Sequence, residues 1–169
     1  MASTTPDDFR IRRAADRDTP GILRCLRAAF EKYRERYTPE AFADTVLTRR
    51  ALQERFRSMF VYVALTRRGR VVGTVAAAIA DGQGHLRGMA VHPDFQHRGV
   101  AAKLLERALA DLGARHCRRV TLDTTRPLRT AAKFYEGKGF RRTSHVSDFF
   151  GMPLYEYAKV LRRRAKDQQ

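Results

Sequence analysis

The chain has 169 residues, 43% of them hydrophobic, which is enough for one compact core and too few for two large domains. No run approaches about 20 uninterrupted apolar residues and the opening MASTTPDDFRIRR is polar, so neither a membrane span nor a secretory signal is visible and the expected location is the cytoplasm. The 34 basic and 18 acidic residues leave a formal charge of +16, spread through RIRR, RERY, TRRGR, CRRV, FRRT and LRRRAK. With no single basic helix and no interleaved aromatics, this reads first as a solvated surface, with a nucleic-acid surface or one polyanionic cofactor as other uses of the field.

FRIRRA alternates from Phe9 and Ile11 and predicts a short first strand. Asp18, Thr19 and Pro20 predict a helix start, and Ile22, Leu26, Ala29, Phe30 and Tyr33 follow at helical spacing. A second start at Thr38, Pro39 and Glu40 leads through Phe42, Val46 and Leu47 into a broken helical stretch ending near Phe56. MFVYVALT and RVVGTVAAAIA are apolar runs joined at RRG, a hairpin with Gly69 in its turn. After DGQG, a strand is predicted from His85 to Val91, ending at His92-Pro93. The following helix opens near Arg98 or Gly99 and runs to Leu112, with Val100, Leu104, Leu105, Ala108 and Leu112 on one face.

RRVTLDTT reads as a strand, PLRTAAKFYEGKG as a helix closed at Gly137 or Gly139, and FRRTSHVSDF and LYEYAKVL as the last two strands. The order β-α-α-β-β-β-α-β-α-β-β predicts an α/β fold with a mixed sheet and a central β-α-β crossover, its core at about 8–162 between polar tails. Cys25 and Cys117 lie in no paired spacing and read as reduced thiols, and the five histidines form no metal spacing with cysteines or carboxylates.

QHRGVA, residues 96–101, stands at the strand-to-helix junction of that crossover. The first N–H groups of a helix lack partners within the helix and the macrodipole is positive there, which suits an anion. Gly99 lacks a Cβ and admits a pyrophosphate to the amides of His97, Arg98, Gly99, Val100 and Ala101, with the Arg98 charge beside them. A glycine here is also a plain conformational requirement.

Gln96, Gly99 and Ala101 match the pattern Q/R-x-x-G-x-G/A after a strand ending MAVHP, and AAKFYEGKGF stands about 30 residues later. This combination, over nearly the whole chain, resembles the GCN5-related N-acetyltransferase (GNAT) superfamily. The resemblance implies a single acyl-CoA N-acyltransferase domain whose mostly antiparallel sheet holds a splayed central parallel pair. It implies acetyl-CoA as cosubstrate, with the pantetheine arm on the backbone of Met89 and Val91 and the pyrophosphate on the amides of His97 to Ala101, Gln96 opening the loop. It also implies a small-molecule or peptide amine acceptor rather than nucleic acid, no membrane, and a monomer or homodimer.

Tyr135 matches the family tyrosine that protonates or hydrogen-bonds the departing sulfur; its other reading is aromatic packing beside Phe134. A phenol near pKa 10 is a weaker acid than a thiol near 8.5, so a hydrogen bond to the developing thiolate is the better-matched role. The nucleophile is the acceptor amine itself, in a ternary complex. Neutralising a lysine-like amine at pH 7 costs about 4.6 kcal/mol, an α-amine only about 1.4 kcal/mol, so the first needs a base far more.

His85, eleven residues before Gln96, is where several family members place a glutamate or histidine base; its other reading is a turn-flanking histidine after Gly84. His92 and His97 read as positional. Leu128 departs from an asparagine common seven residues before the tyrosine, while Asp123, Thr124 and Thr125 are possible site lining. Tyr33, Tyr37, Phe149, Phe150 and Tyr155 either form an aromatic acceptor wall or fill the core, and Arg34, Arg36 and Arg126 either draw an anionic acceptor or are solvated. Two other functions stay open: a basic, nucleic-acid-associated binding module on the same scaffold, and acetylation of an aminoacyl-tRNA amine.

Overall fold

A computed structural model describes residues 8–162, so the polar tails expected at the two ends lie outside the described residues. The chain runs β1 (Arg10–Arg13), α1 (Thr19–Phe30), α2 (Pro39–Thr45), α3 (Arg49–Ser58), β2 (Phe60–Leu65), β3 (Val71–Ala80), β4 (Gln83–Val91), α4 (Val100–Ala114), β5 (Arg119–Thr125), α5 (Arg129–Gly137), β6 (Arg141–Phe149) and β7 (Met152–Val160). Short 3-10 turns at Asp16–Asp18, Glu31–Arg36 and Pro93–Phe95 join some of them.

The strands form one sheet in the order β1-β2-β3-β4-β5-β7-β6, and β4 with β5 is its parallel pair. Along β2 the side chains alternate between two layers, as a strand buried on both faces requires. Val61 and Val63 join Ile22, Leu26, Leu52 and the other α1–α3 residues, while Tyr62 and Ala64 join Leu104, Leu105, Leu112 and Phe140 of the α4–α5 side. The Val100, Leu104, Leu105, Ala108 and Leu112 stripe predicted for α4 is buried. Cys25 and Cys117 are free and buried, and burial pushes the Cys25 thiol up to about 12.

Three expectations are corrected in detail. Phe9 is buried ahead of β1 rather than within it. The broken stretch from Thr38 to Phe56 is two helices, because Thr48 turns extended and its hydroxyl caps a new start by accepting from Ala51 N–H at 3.2 Å. β4 begins at Gln83, two residues before His85, because the two-residue turn at Asp81 and Gly82 lets Gln83 pair with Ala80.

Two irregularities of β4 open the sheet. Between Arg87 and Ala90 it carries one more residue than β3 opposite, a bulge that includes Gly88 at φ +67°. The parallel pairing with β5 stops at Leu86 and Leu122, beyond which the two strands separate. This is the splayed pair that the family resemblance implied.

Candidate active site

A cleft of about 1060 Å³ runs from the start of α4 through the split between β4 and β5 to the side covered by α1–α3. Its two ends are built differently.

At the first end the chain leaves β4 through His92 and enters α4 at Gly99, which caps the helix at φ +84°. The first helical bond runs from Lys103 N–H to Gly99 O at 3.1 Å, so the amides of Val100, Ala101 and Ala102 have no partner within the helix. A Cβ placed on Gly99 meets nothing within 4 Å, so the space over these amides is open. His97 is also left-handed, at φ +61°, in a loop tied back to the strand by Gln96 Nε2 donating to Val91 O at 3.1 Å. Arg98 lies at the surface, donating to Asp94 O at 3.3 Å with its guanidinium 4.9 Å from the Phe95 ring. Val100 and Ala101 differ: the Val100 side chain is sunk in the core and offers the cleft only its backbone, while Ala101 keeps the first turn small.

His92 N–H donates to Val72 O of β3 at 2.8 Å. Strand alternation therefore aims the backbone of Val91 and Met89 to the opposite edge, from which β5 has departed. Gln96 occupies the Val91 carbonyl, which leaves the Met89 backbone and the Val91 N–H along that edge.

Tyr135, on α5, lines the cleft where the strands part and packs edge-on between Phe134 and Phe140. Burial holds its phenol well above the ordinary value, so it is protonated throughout the neutral range. Leu128 caps α5 and also lines the cleft.

Across the parallel pair His85 sits beside Thr121, with Nδ1 and Oγ1 2.8 Å apart in a hydrogen bond. His85 Nε2 stands 3.5 Å from Asp123 Oδ2. Thr121 and Asp123 are two apart on β5 and so share one face with His85. Burial raises the Asp123 pKa, with the nearby Glu156 adding to the rise and His85 opposing it. Sequence reasoning named Asp123 only as lining; the period of two in TLD was the signal that could have joined it to His85.

The far end of the cleft is made of side chains. Tyr33, Tyr37 and Phe149 line it as expected, and the Tyr37 hydroxyl is 2.6 Å from Thr125 Oγ1 in a buried hydrogen bond. Phe150 is exposed, and Tyr155 is held outside the cleft between the Arg142 guanidinium and Arg126. Arg34 pairs with Glu31 instead of facing the cleft, and the Arg36 guanidinium lies over the Tyr33 ring. Arg55, Asp44 and Arg87 do line this end, and sequence reasoning missed all three.

The acetyltransferase (GNAT) family model matches residues 22–140, which contain most of α1, the split pair β4 and β5, α4 and α5. The chain belongs to that family. The family uses acetyl-CoA as cosubstrate, and the orphaned amides of α4, the open space over Gly99 and the unpaired β4 edge fit it.

Solved acetyltransferase structures share the fold. The PaiA N-acetyltransferase of Thermoplasma acidophilum, in complex with coenzyme A, has 16% sequence identity and a TM-score of 0.76, covering 88% of this chain and 98% of that one. A GNAT-family acetyltransferase of Staphylococcus aureus Mu50 has 15% identity and a TM-score of 0.75, covering 92% and 100%. The ribosomal-protein-S18-alanine N-acetyltransferase of Escherichia coli has 15% identity and a TM-score of 0.72, covering 96% and 99%. No helix among the described residues is long and apolar enough to cross a membrane.

Proposed function

We propose that this GNAT acetyltransferase moves the acetyl group of acetyl-CoA to a primary amine, by direct attack of the amine while both substrates occupy the cleft. The observation that carries this reading is the continuity of one cleft from the α4 amides to Tyr135 and the His85–Asp123 pair. The amides of His97 to Ala101 receive the pyrophosphate, and the free edge at Met89 and Val91 receives the pantetheine arm as an added strand.

The ammonium form of the acceptor surrenders its proton before attack. His85 and Asp123 take it as a pair: the imidazole receives the proton, and the carboxylate and Thr121 hold the ring in place. The amine nitrogen then bonds to the acetyl carbonyl carbon, and the carbon–sulfur bond breaks. Tyr135, kept protonated by burial, donates a hydrogen bond to the departing sulfur, and coenzyme A leaves as the thiol after taking up one proton.

The test is release of free thiol from acetyl-CoA against a panel of amines, peptides and aminoacyl-tRNA, with Tyr135→Phe and His85→Ala as controls. Turnover on the best acceptor that neither substitution lowers overturns both catalytic assignments.

A further inference from the structure

Arg55, on α3, projects from the helical layer onto the β4 bulge. A Cβ on Gly88 would stand 2.5 Å from Arg55 Nη1, so glycine at that bulge leaves the room through which the guanidinium reaches the cleft. The neighbouring Arg87 is already neutralised: it lies on the same strand and donates to Asp44 in an ion pair. Among the described residues no carboxylate comes within ion-pair distance of the Arg55 guanidinium, and no hydrogen bond engages that group. Burial and the Arg87 charge lower its pKa to about 10, with Asp44 opposing, so at neutral pH it is a charged, partly desolvated cation facing open space. A half-buried cation that no carboxylate contacts directly carries part of the cost of desolvation, and an anion arriving in the cleft relieves it.

Three residues back along β4, about 10 Å at strand rise, His85 and Asp123 supply the opposite sign, which suits an ammonium group. Tyr33, Met59 and Phe149 give the same cleft apolar surface.

We infer that Arg55 is an anion-binding subsite of the acceptor pocket, and that the acceptor is a small zwitterionic amine whose carboxylate or phosphate-type group binds this guanidinium. Arg55 suits this role because its planar fork matches a two-oxygen anion. This rests on the acetyltransferase reading above, and it narrows the acceptor from amines in general to anionic ones.

The experiment compares matched pairs of acceptors, each an α-amino acid with its α-amide, from alanine to phenylalanine, together with the corresponding aminophosphonates. The amide has the less basic amine and is chemically the more reactive partner at pH 7, so preference for the acid cannot come from amine protonation. The expected result is kcat/KM at least tenfold higher for the acid than for the amide in the best pair. Arg55→Gln takes that ratio to about one, and Arg55→Lys keeps part of it. A phosphonate better than the carboxylate identifies a phosphate-type anion, and the reverse order identifies a carboxylate.

A wild-type ratio at or below one overturns the subsite, as does an Arg55→Gln variant that lowers acid and amide equally. Should no amine be turned over while acetyl-CoA binds, the acetyl-transfer reading fails, and equilibrium binding then decides the subsite. In that arm the same acids raise the Tm of the CoA-saturated wild-type protein but not of Arg55→Gln; equal shifts in the two proteins, or none, overturn it.

Discussion

The two ends of the cleft use the same sheet in opposite ways. At the α4 end the proposed binding groups are backbone amides, released by a helix start and by a strand edge that has lost its neighbour. At the α1–α3 end they are side chains, and all but Arg55 are held by a partner from another segment: Arg87 by Asp44, His85 by Thr121 and Asp123, Tyr37 by Thr125. A backbone site tolerates change in most of its side chains and is defeated by one bulky group at its glycine. A side-chain site can be retuned one residue at a time, which is how one scaffold serves many acceptors.

The sharpest way to break this contrast is Gly99→Glu. A carboxylate over the α4 amides, on a backbone at φ +84°, is expected to weaken acetyl-CoA binding by about 10³-fold, roughly 4 kcal/mol, in calorimetric titration. Far-UV circular dichroism should stay that of the folded chain; unchanged affinity would mean that the amides do not hold the pyrophosphate.

Tyr135→Phe comes next, because it removes one donor where the two ends meet. Loss of a hydrogen bond to a charged sulfur predicts a fall in kcat of about 10²-fold, about 2.7 kcal/mol, with little change in acetyl-CoA affinity. A loss confined to affinity would return the tyrosine to packing beside Phe134.

Asp123→Asn separates activity from stability at the acceptor end. Asp123 binds its proton more tightly in the fold than in the unfolded chain, so the protein loses stability as pH rises from the ordinary carboxylate value through the raised one. The substitution is expected to remove that loss, giving a Tm above wild type at neutral pH and equal to it in acid, while kcat falls about tenfold through the disoriented His85. A variant less stable than wild type at neutral pH would contradict the direction of the shift.

Tyr37→Phe should have the smallest effect. It deletes the buried bond to Thr125 and is expected to cost about 1 kcal/mol in chemical denaturation, with a modest rise in acceptor KM and none in acetyl-CoA Kd. An equal change in both constants would show that the two ends are not separable.

Most of the fold was legible, since its elements announce themselves locally. The stripe of α4, the apolar runs of β2 and β3, and the turn residues at Gly69 and at Asp81-Gly82 each carry their own period or punctuation. Thr48 was missed because one capping hydroxyl inside a polar stretch is a weak signal beside the surrounding helical pattern. Of the five aromatics, Tyr33, Tyr37 and Phe149 both pack on the core and line the cleft, whereas Phe150 and Tyr155 do not line it, because the β6–β7 turn carries the first out to solvent and two arginines hold the second.

By itself the sequence determined the order of elements, the two-faced burial of the sheet and the glycine-capped helix start, because each depends on residues a few positions apart. Only the tertiary structure decided that β4 and β5 part after Leu86 and Leu122, and that Asp123 stands beside His85. It alone set the Arg55 guanidinium over Gly88, 33 positions along the chain. Those contacts join segments whose spacing in sequence carries no period, and they exist because two helical layers and a split sheet bring distant side chains to one cleft.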